Sequence, residues 1–161
     1  MLELRSSIMP VTMDQVVAYL RPDEPDYKRA AVQLGADALV HLSSLVQGSD
    51  PMLASKAAYL SGLVGGSGSE SVLVEAARSR DPIIRIAAAG AVAHVSPNLA
   101  TPVLLLLLAD SNSDVRRIAI QSVSAEITVP VRAALDRLCR DDPDPSVRKL
   151  SEMALQKARH G

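Results

Sequence analysis

A short motif that recurs about every 31 residues constrains the fold of this 161-residue chain more than any other feature. Its copies start at Asp50, Asp81, Asn112 and Asp144, in steps of 31, 31 and 32 residues, and a weaker copy starts at Glu24. Asp and Asn are good helix N-caps, because their side chains accept a hydrogen bond from the free amides of the first turn. Proline follows in most copies, and it is tolerated at the first helical position. Each copy therefore predicts the start of a helix.

An apolar stripe at helical spacing follows each of these starts, as in Ile84, Ala88 and Val95. We call these the B helices, and the pattern predicts them over residues 25–34, 51–64, 82–95, 113–126 and 145–159. The stretches between them are also helical by pattern. The first of these A helices begins at the capping-box signature of Thr12 and Gln15. The later A helices are expected near residues 36–47, 69–79, 98–109 and 129–140.

The composition favours closely packed helices over a β-sandwich. The chain has no Phe or Trp and only three Tyr, so its core must be built from Ala, Leu, Val and Ile. One helical hairpin cannot bury its apolar faces alone, but stacked hairpins can. The sequence therefore predicts an all-α fold, a right-handed α-solenoid of about five antiparallel helix pairs in a single domain. The expected repeats span residues 12–35, 36–65, 68–96, 97–126 and 128–160.

The motif also carries a family resemblance. Asp-Pro-x-apolar-Arg before an Ala-rich helix resembles the HEAT-like repeats of the phycobilin-lyase type, best over residues 81–155. The second copy departs from the motif, with Ala54 where Arg is expected, and the third has Asn112-Ser113 in place of Asp-Pro. The resemblance implies a HEAT/armadillo-like superhelix. It also implies that the repeated acidic and arginine side chains bridge adjacent repeats, which concerns Asp81, Arg85, Arg116, Asp144 and Arg148. Tetratricopeptide repeats use aromatic markers that this chain lacks.

The residue types that carry chemistry are scarce. Cys139 is the single cysteine, which excludes an intramolecular disulfide and a cysteine-based zinc cluster. No pair among His41, His94 and His160 has metal-ligand helical spacing, and His94 has no nucleophile or orienting carboxylate near it in sequence. The Gly65–Gly68 segment lacks the Gly-Lys-Ser/Thr ending of a P-loop, so it is expected to be a flexible connection. We therefore expect no metal, no cofactor and no enzymatic activity.

Charge and hydropathy bear on the partner and the compartment. The net charge is −1 and no apolar run approaches the roughly 20 residues of a membrane span, so we expect a cytoplasmic protein with no membrane contact. The predicted B helices are basic, but Lys28, Arg85, Arg116 and Arg148 hold the repeat-motif position. Aromatic side chains for base stacking are almost absent. Nucleic acid is therefore an unlikely partner, and a nucleic-acid-associated module remains the first alternative function.

The third B helix points to a protein partner, because only Arg85 and His94 are polar between Ile83 and Val95. If the Asp of each motif is position 1, positions 4, 7, 8 and 11 form the core stripe and positions 6, 9, 10 and 13 lie opposite it. The expected partner-binding residues on that opposite side are Tyr59, Ile86, Gly90, Arg117 and Ile120. The leading function is a non-catalytic scaffold that binds another protein or a second copy. Coverage of this helix by its own neighbours and a lyase-like, ligand-handling role remain open alternatives.

Overall fold

Helices dominate residues 9–159, the part of the chain that the computed structural model describes. They are α1 (Met13–Leu20), α2 (Tyr27–Leu34), α3 (Leu39–Val46), α4 (Pro51–Val64), α5 (Ser67–Ala77), α6 (Pro82–Ala91), α7 (Pro97–Leu108), α8 (Ser113–Gln121), α9 (Val129–Asp141) and α10 (Pro145–Arg159). Short 3-10 segments precede α3 (Ala36–Ala38) and follow α6 (Val92–His94). No strand occurs in residues 9–159, which confirms the all-α prediction.

The motif residues cap the B helices as expected. Asp50, Asp81 and Asn112 each accept a hydrogen bond from the amide two residues further on, at 3.0, 2.9 and 2.8 Å. Asp144 accepts one from the Ser146 amide at 2.8 Å. The capping box before α1 is complete, because Thr12 and Gln15 bond reciprocally. These contacts satisfy amides that a helix start otherwise leaves without a partner.

The first repeat departs from the predicted register. Asp26, rather than Glu24, caps α2 by accepting a bond from the Arg29 amide, so α2 begins two residues later than the motif suggested. The fourth B helix is shorter than expected, because α8 ends at Gln121. Ser and Val have weak helix propensity, and the Ser124 hydroxyl instead donates to the carbonyl of Glu126 at 2.9 Å.

The helices pack in two layers. The B helices α2, α4, α6, α8 and α10 contact one another in chain order, and the A helices α1, α3, α5, α7 and α9 do the same. Fully buried leucines such as Leu60, Leu107 and Leu135 fill the space within and between the layers. This arrangement is an α-solenoid of five helix pairs, which confirms the predicted fold class.

Small residues bring α4 and α6 unusually close together. A Cβ atom added at Gly62 would lie 2.5 Å from the carbonyl oxygen of Ala91, so no larger residue fits there without moving a helix. Ala54, Ala58 and Ala89 are fully buried on the same two helices. The second and third repeats are therefore joined by close backbone approach, and this junction sets the positions of the side chains on the outer B-helix surface.

Candidate functional site

A patch of apolar side chains lies on the outer surface of the B layer at the junction of the second and third repeats. We call it the B-face patch, and it consists of Tyr27, Met52, Tyr59, Ile83, Ile86 and Gly90. Met52 and Ile83 remain 62% and 59% exposed. They occupy position 3 of consecutive repeats, while Ile86 holds position 6 and Tyr59 position 10. The structure thus brings three of the five predicted partner-binding residues together on one surface.

A groove of about 350 Å³ opens within the patch. Its walls come from α2, α4 and α6 and are formed by Tyr27, Ser55, Lys56, Tyr59, Ile83, Ile86 and Ala87. The Lys56 ammonium is held by the carbonyls of Leu20 and Pro22, at 3.1 and 2.7 Å. The Ser55 hydroxyl donates to the carbonyl of Met52 at 2.9 Å. Because these two polar groups already have partners, the groove is suited to apolar side chains.

Three aromatic rings form a row along one side of the patch. Tyr27 and Tyr59 meet edge to face with ring centroids 4.8 Å apart, and the ring of His94 follows 5.7 Å from that of Tyr59. The Tyr59 hydroxyl lies 3.2 Å from Nε2 of His94. Partial burial, together with the nearby Tyr59, raises the pKa of Tyr27 above its ordinary value of 10.0. The row holds two of the chain's three tyrosines, so an aromatic-poor chain concentrates its rings on this surface.

Gly90 lies in the open part of the patch, and packing within the chain does not require a glycine there. A Cβ atom at Gly90 would meet only the ring of Tyr59, at 3.7 and 3.9 Å, which is ordinary van der Waals contact. Gly62 is the opposite case, because its added Cβ would collide with the backbone of α6. A glycine inside a helix costs about 1 kcal/mol relative to alanine. Gly90 therefore leaves a small depression in the surface, which we call the notch, and packing within the chain does not require it.

Ile120 does not lie on this surface, contrary to the expectation from the sequence. It is only 3% exposed and belongs to the core, as do Ala58 and Ala89 at the same position 9 of their repeats. Position 9 lies only about 40° around the helix from position 5, at roughly 100° per residue. Position 5 faces the next repeat, because Arg85 and Arg116 reach it from there. A solenoid helix buries two sides rather than one, and the assumption of a single core stripe placed Ile120 wrongly.

Arg117, on α8, is not among the residues of the patch and is held by carboxylates of its own chain. It contacts Asp114 in the preceding turn, and its Nη1 donates to Asp144 of the next repeat at 3.2 Å. The Ser146 amide lowers the pKa of Asp144, and the Arg117 charge acts in the same direction. Arg117 thus bridges repeats, a role that the sequence analysis gave to its neighbours.

Two other arginines form a repeated inter-repeat contact that we call an arginine rung. In a rung, Nε and Nη2 of an arginine at position 5 both donate to one aspartate of the next repeat. Arg85 bonds Asp110 in this way at 2.7 and 3.1 Å, and Arg116 bonds Asp142 at 2.8 and 2.9 Å. The Arg116–Asp142 pair is almost fully buried. The bridging geometry expected for Arg85 and Arg116 is therefore present.

The acceptors of the rungs are residues that the sequence analysis missed. Asp110 and Asp142 stand two residues before the caps of the following B helices, and each also accepts a bond from that cap's backbone amide. Asp81, which was expected to bridge repeats, only caps α6. The sequence does contain a sign of this pairing. Ala54 stands in the second repeat where the arginine would be, and Ser79 stands two residues before the next cap, where the aspartate would be.

Comparison with known proteins agrees with this architecture. The family model described as HEAT repeats matches residues 36–124 and 71–156, which together exceed half of the chain. The chain belongs to the HEAT-repeat family. A search of curated proteins found no match. Among solved structures, the complex of CpcE and CpcF of phycocyanin lyase from Nostoc sp. PCC7120 contains a similar chain, with a TM-score of 0.68 and 19% identity. The match covers 88% of this HEAT-repeat protein and 96% of that chain.

This likeness corrects the expectation that the chain is not an enzyme. A chain of the same fold belongs to a phycocyanin lyase, so a HEAT-type stack is compatible with a part in catalysis. The expectation rested on the lack of an acid–base or nucleophile constellation within one chain. That reasoning fails where a reaction site is assembled from more than one chain, or where the fold contributes by holding a substrate.

Other kinds of site find little support in residues 9–159. No group of three or more His, Cys, Asp or Glu side chains in this part of the chain is arranged to hold a metal ion. No helix among the described residues is both long and apolar enough to cross a membrane. Several basic B-helix residues are engaged within the chain, since Lys56 binds carbonyls while Arg85, Arg116 and Arg117 bind carboxylates. Fewer charges therefore remain for a nucleic-acid backbone than the sequence suggested.

Proposed function

We propose that this HEAT-repeat protein binds another protein through the B-face patch, with an apolar side chain of the partner seated in the groove between α4 and α6. Extended surfaces on stacked helical repeats are suited to this use. Tyrosine is among the residue types that contribute most to protein interfaces, and an exposed apolar patch with a polar rim usually marks one.

Gly90 carries the proposal. Ile83 is exposed and Ile86 is half-buried on the same helix as Gly90, where a side chain would fit without internal collision. The missing side chain lets a partner's backbone approach the helix closely. The alternative that this helix is covered by its own neighbours would be favoured if a side chain at position 90 collided with the fold, whereas a Cβ there meets only the ring of Tyr59 at ordinary contact distance.

Site-specific photo-crosslinking in the native cell tests the proposal. A photoreactive side chain at position 86, on the patch, is compared with one at Val40, which is 67% exposed on the A helix α3. We expect a discrete crosslinked partner from position 86 and not from position 40. The same product should weaken when Gly90→Gln fills the notch. Identical products from both positions, or a product that Gly90→Gln leaves unchanged, would contradict the proposal. A product of twice the chain mass would identify the partner as a second copy.

A lyase-related role is the second candidate, favoured by the shared fold with a chain of the phycocyanin lyase complex. In this version the partner held on the B-face patch is a protein substrate resembling phycocyanin. Calorimetric titration of the purified chain with phycocyanin tests it, with Ile86→Glu as the matched variant. Binding that Ile86→Glu weakens at least tenfold is expected. Absence of heat for the wild-type chain would argue against this candidate while leaving the crosslinking result untouched.

A further inference from the structure

The arginine rungs have two halves, and each half makes its own contacts. In the first half, Nη1 donates to the backbone carbonyl six residues earlier in the arginine's own repeat, at 3.0 Å for Arg85 and 2.8 Å for Arg116. In the second half, Nε and Nη2 grip the aspartate of the next repeat. The first half fixes the guanidinium, so the second half meets a carboxylate at a place that is already set.

Arg148 of the fifth repeat makes the first half of a rung, and the second half is absent among residues 9–159. Its Nη1 donates to the carbonyl of Asp142, again six residues earlier, at 2.6 Å. Within residues 9–159, no carboxylate oxygen lies within bonding distance of its side chain, and its Nε and Nη2 have no acceptor. Arg148 is only partly exposed, which limits the conformations open to it. The guanidinium keeps one of the two backbone bonds that Nη1 makes in a complete rung, and among residues 9–159 no carboxylate binds its Nε and Nη2.

We infer that the Arg148 fork binds an aspartate carboxylate of a second protein chain, and that this contact docks the partner on the exposed face of α10. The donor geometry is the one that binds Asp110 and Asp142 inside the chain. In both of those cases the carboxylate also accepts a bond from the amide two residues further on. The partner therefore presents its aspartate at a turn in which the carboxylate also accepts a bond from the amide two residues further on. The guanidinium can then bind both carboxylate oxygens in one fixed orientation.

The surface around Arg148 indicates that the contact is polar. Position 9, which is buried and apolar in Ala89 and Ile120, is occupied in the last repeat by the exposed Glu152. The polar side chains on the outer side of α10 are exposed: Lys149, Glu152, Gln156, Lys157 and Arg159. A further apolar repeat would therefore leave Glu152 without a partner, whereas a charged surface satisfies it. The Arg148 guanidinium therefore pairs best with an acidic group on the partner surface, and Glu152 pairs best with a basic group there.

Nuclear magnetic resonance of the arginine Nε–H groups in the full chain tests this inference. The probe is a synthetic peptide with the sequence of residues 140–147, which contains the Asp142 turn, and its matched control replaces Asp142 by Asn. We expect the Arg148 Nε–H signal to shift saturably with the aspartate peptide, and the asparagine peptide to bind at least tenfold more weakly. Arg148→Lys, which keeps the charge but loses the fork, should bind the aspartate peptide at least tenfold more weakly, as measured by the fluorescence anisotropy of a labelled peptide.

Two controls make the result decisive. Arg159→Lys alters an exposed arginine on the same helix and should leave peptide binding unchanged. Acetate provides a carboxylate without a turn, and it should bind at least tenfold more weakly than the peptide. The inference is overturned if the Arg148 signal does not respond at millimolar peptide, if Arg159→Lys weakens binding as much as Arg148→Lys, or if acetate binds as well as the peptide. Because the B-face patch lies on α2, α4 and α6, these outcomes are independent of the crosslinking test.

Discussion

Replacement of Arg116 by alanine should destabilise the protein more than the same change at either of the other motif arginines. Arg116 donates twice to Asp142 and twice to the backbone, at Asp110 and Ser111. The arginine and aspartate side chains are only 10% and 2% exposed. Arg116→Ala would leave the Asp142 carboxylate buried with one backbone amide as its remaining donor. Breaking a buried pair from one side costs about 3–5 kcal/mol, so we expect a loss near the lower end of that range.

The three motif arginines form a graded series that separates the rung from a general effect of charge. Arg85 makes the same contacts as Arg116 but is slightly more exposed, so Arg85→Ala should cost about 2–3 kcal/mol. Arg148 has no carboxylate among the described residues, and Arg148→Ala should cost about 1 kcal/mol or less. The predicted order of destabilisation is therefore Arg116, then Arg85, then Arg148.

Urea denaturation followed by circular dichroism measures these differences, provided that the slope of each transition stays constant. A double-mutant cycle between Arg116→Ala and Asp142→Ala should return a coupling energy of about 1.5–3 kcal/mol, because the two side chains interact directly. Equal losses for all three arginines would refute the reasoning, since they would show that carboxylate pairing does not decide stability. A coupling energy near zero would refute it as well.

Three further predictions rest on single positions. Gly62→Ala should destabilise the protein by about 1–3 kcal/mol, because its Cβ would lie 2.5 Å from a carbonyl oxygen. Gly90→Ala should instead stabilise it by up to about 1 kcal/mol. Thermal melts in which both variants shift the melting temperature in the same direction would contradict this pair of predictions. Ile120→Glu should cost about 3 kcal/mol or more and Ile86→Glu clearly less, and similar melting temperatures for the two variants would show that the patch is misassigned. The pKa of Tyr27 is raised in the folded state, so folding favours its protonated form. The stability that this confers is present below pH 10 and falls as the pH rises further. Tyr27→Phe should therefore lose less stability in alkali than the wild type.

Local sequence signals account for most of the fold. The caps at Asp50, Asp81 and Asn112 act within a single turn, so the motif alone was enough to place the starts of α4, α6 and α8. The first repeat was harder to place, because Glu24-Pro25 imitates the motif while Asp26 makes the cap. Competing signals two residues apart can be resolved only by the packing of the helix that follows.

The site was less predictable, because it depends on contacts between repeats. Helical periodicity describes one helix against one neighbour, but each inner B helix packs against its A partner and against a B helix on either side. Position 9 is therefore buried, and Ile120 could not be assigned from a single stripe. The acceptors Asp110 and Asp142 were missed for a related reason, since a pairing across 25 or 26 residues leaves no trace in the periodicity of either helix.

The location of the B-face patch follows from the two ways in which this chain joins its repeats. An arginine rung needs room for a guanidinium between repeats, and the third, fourth and fifth repeats are joined in this way through Arg85 and Arg116. Between the second and third repeats Ala54 replaces the arginine, and Gly62 lets α4 approach the backbone of α6. This close approach sets the ring of Tyr59 against Gly90, so the groove and its notch arise where the rung is absent. Widening this junction with a larger residue at position 62 should therefore disturb the B-face patch as well as the fold.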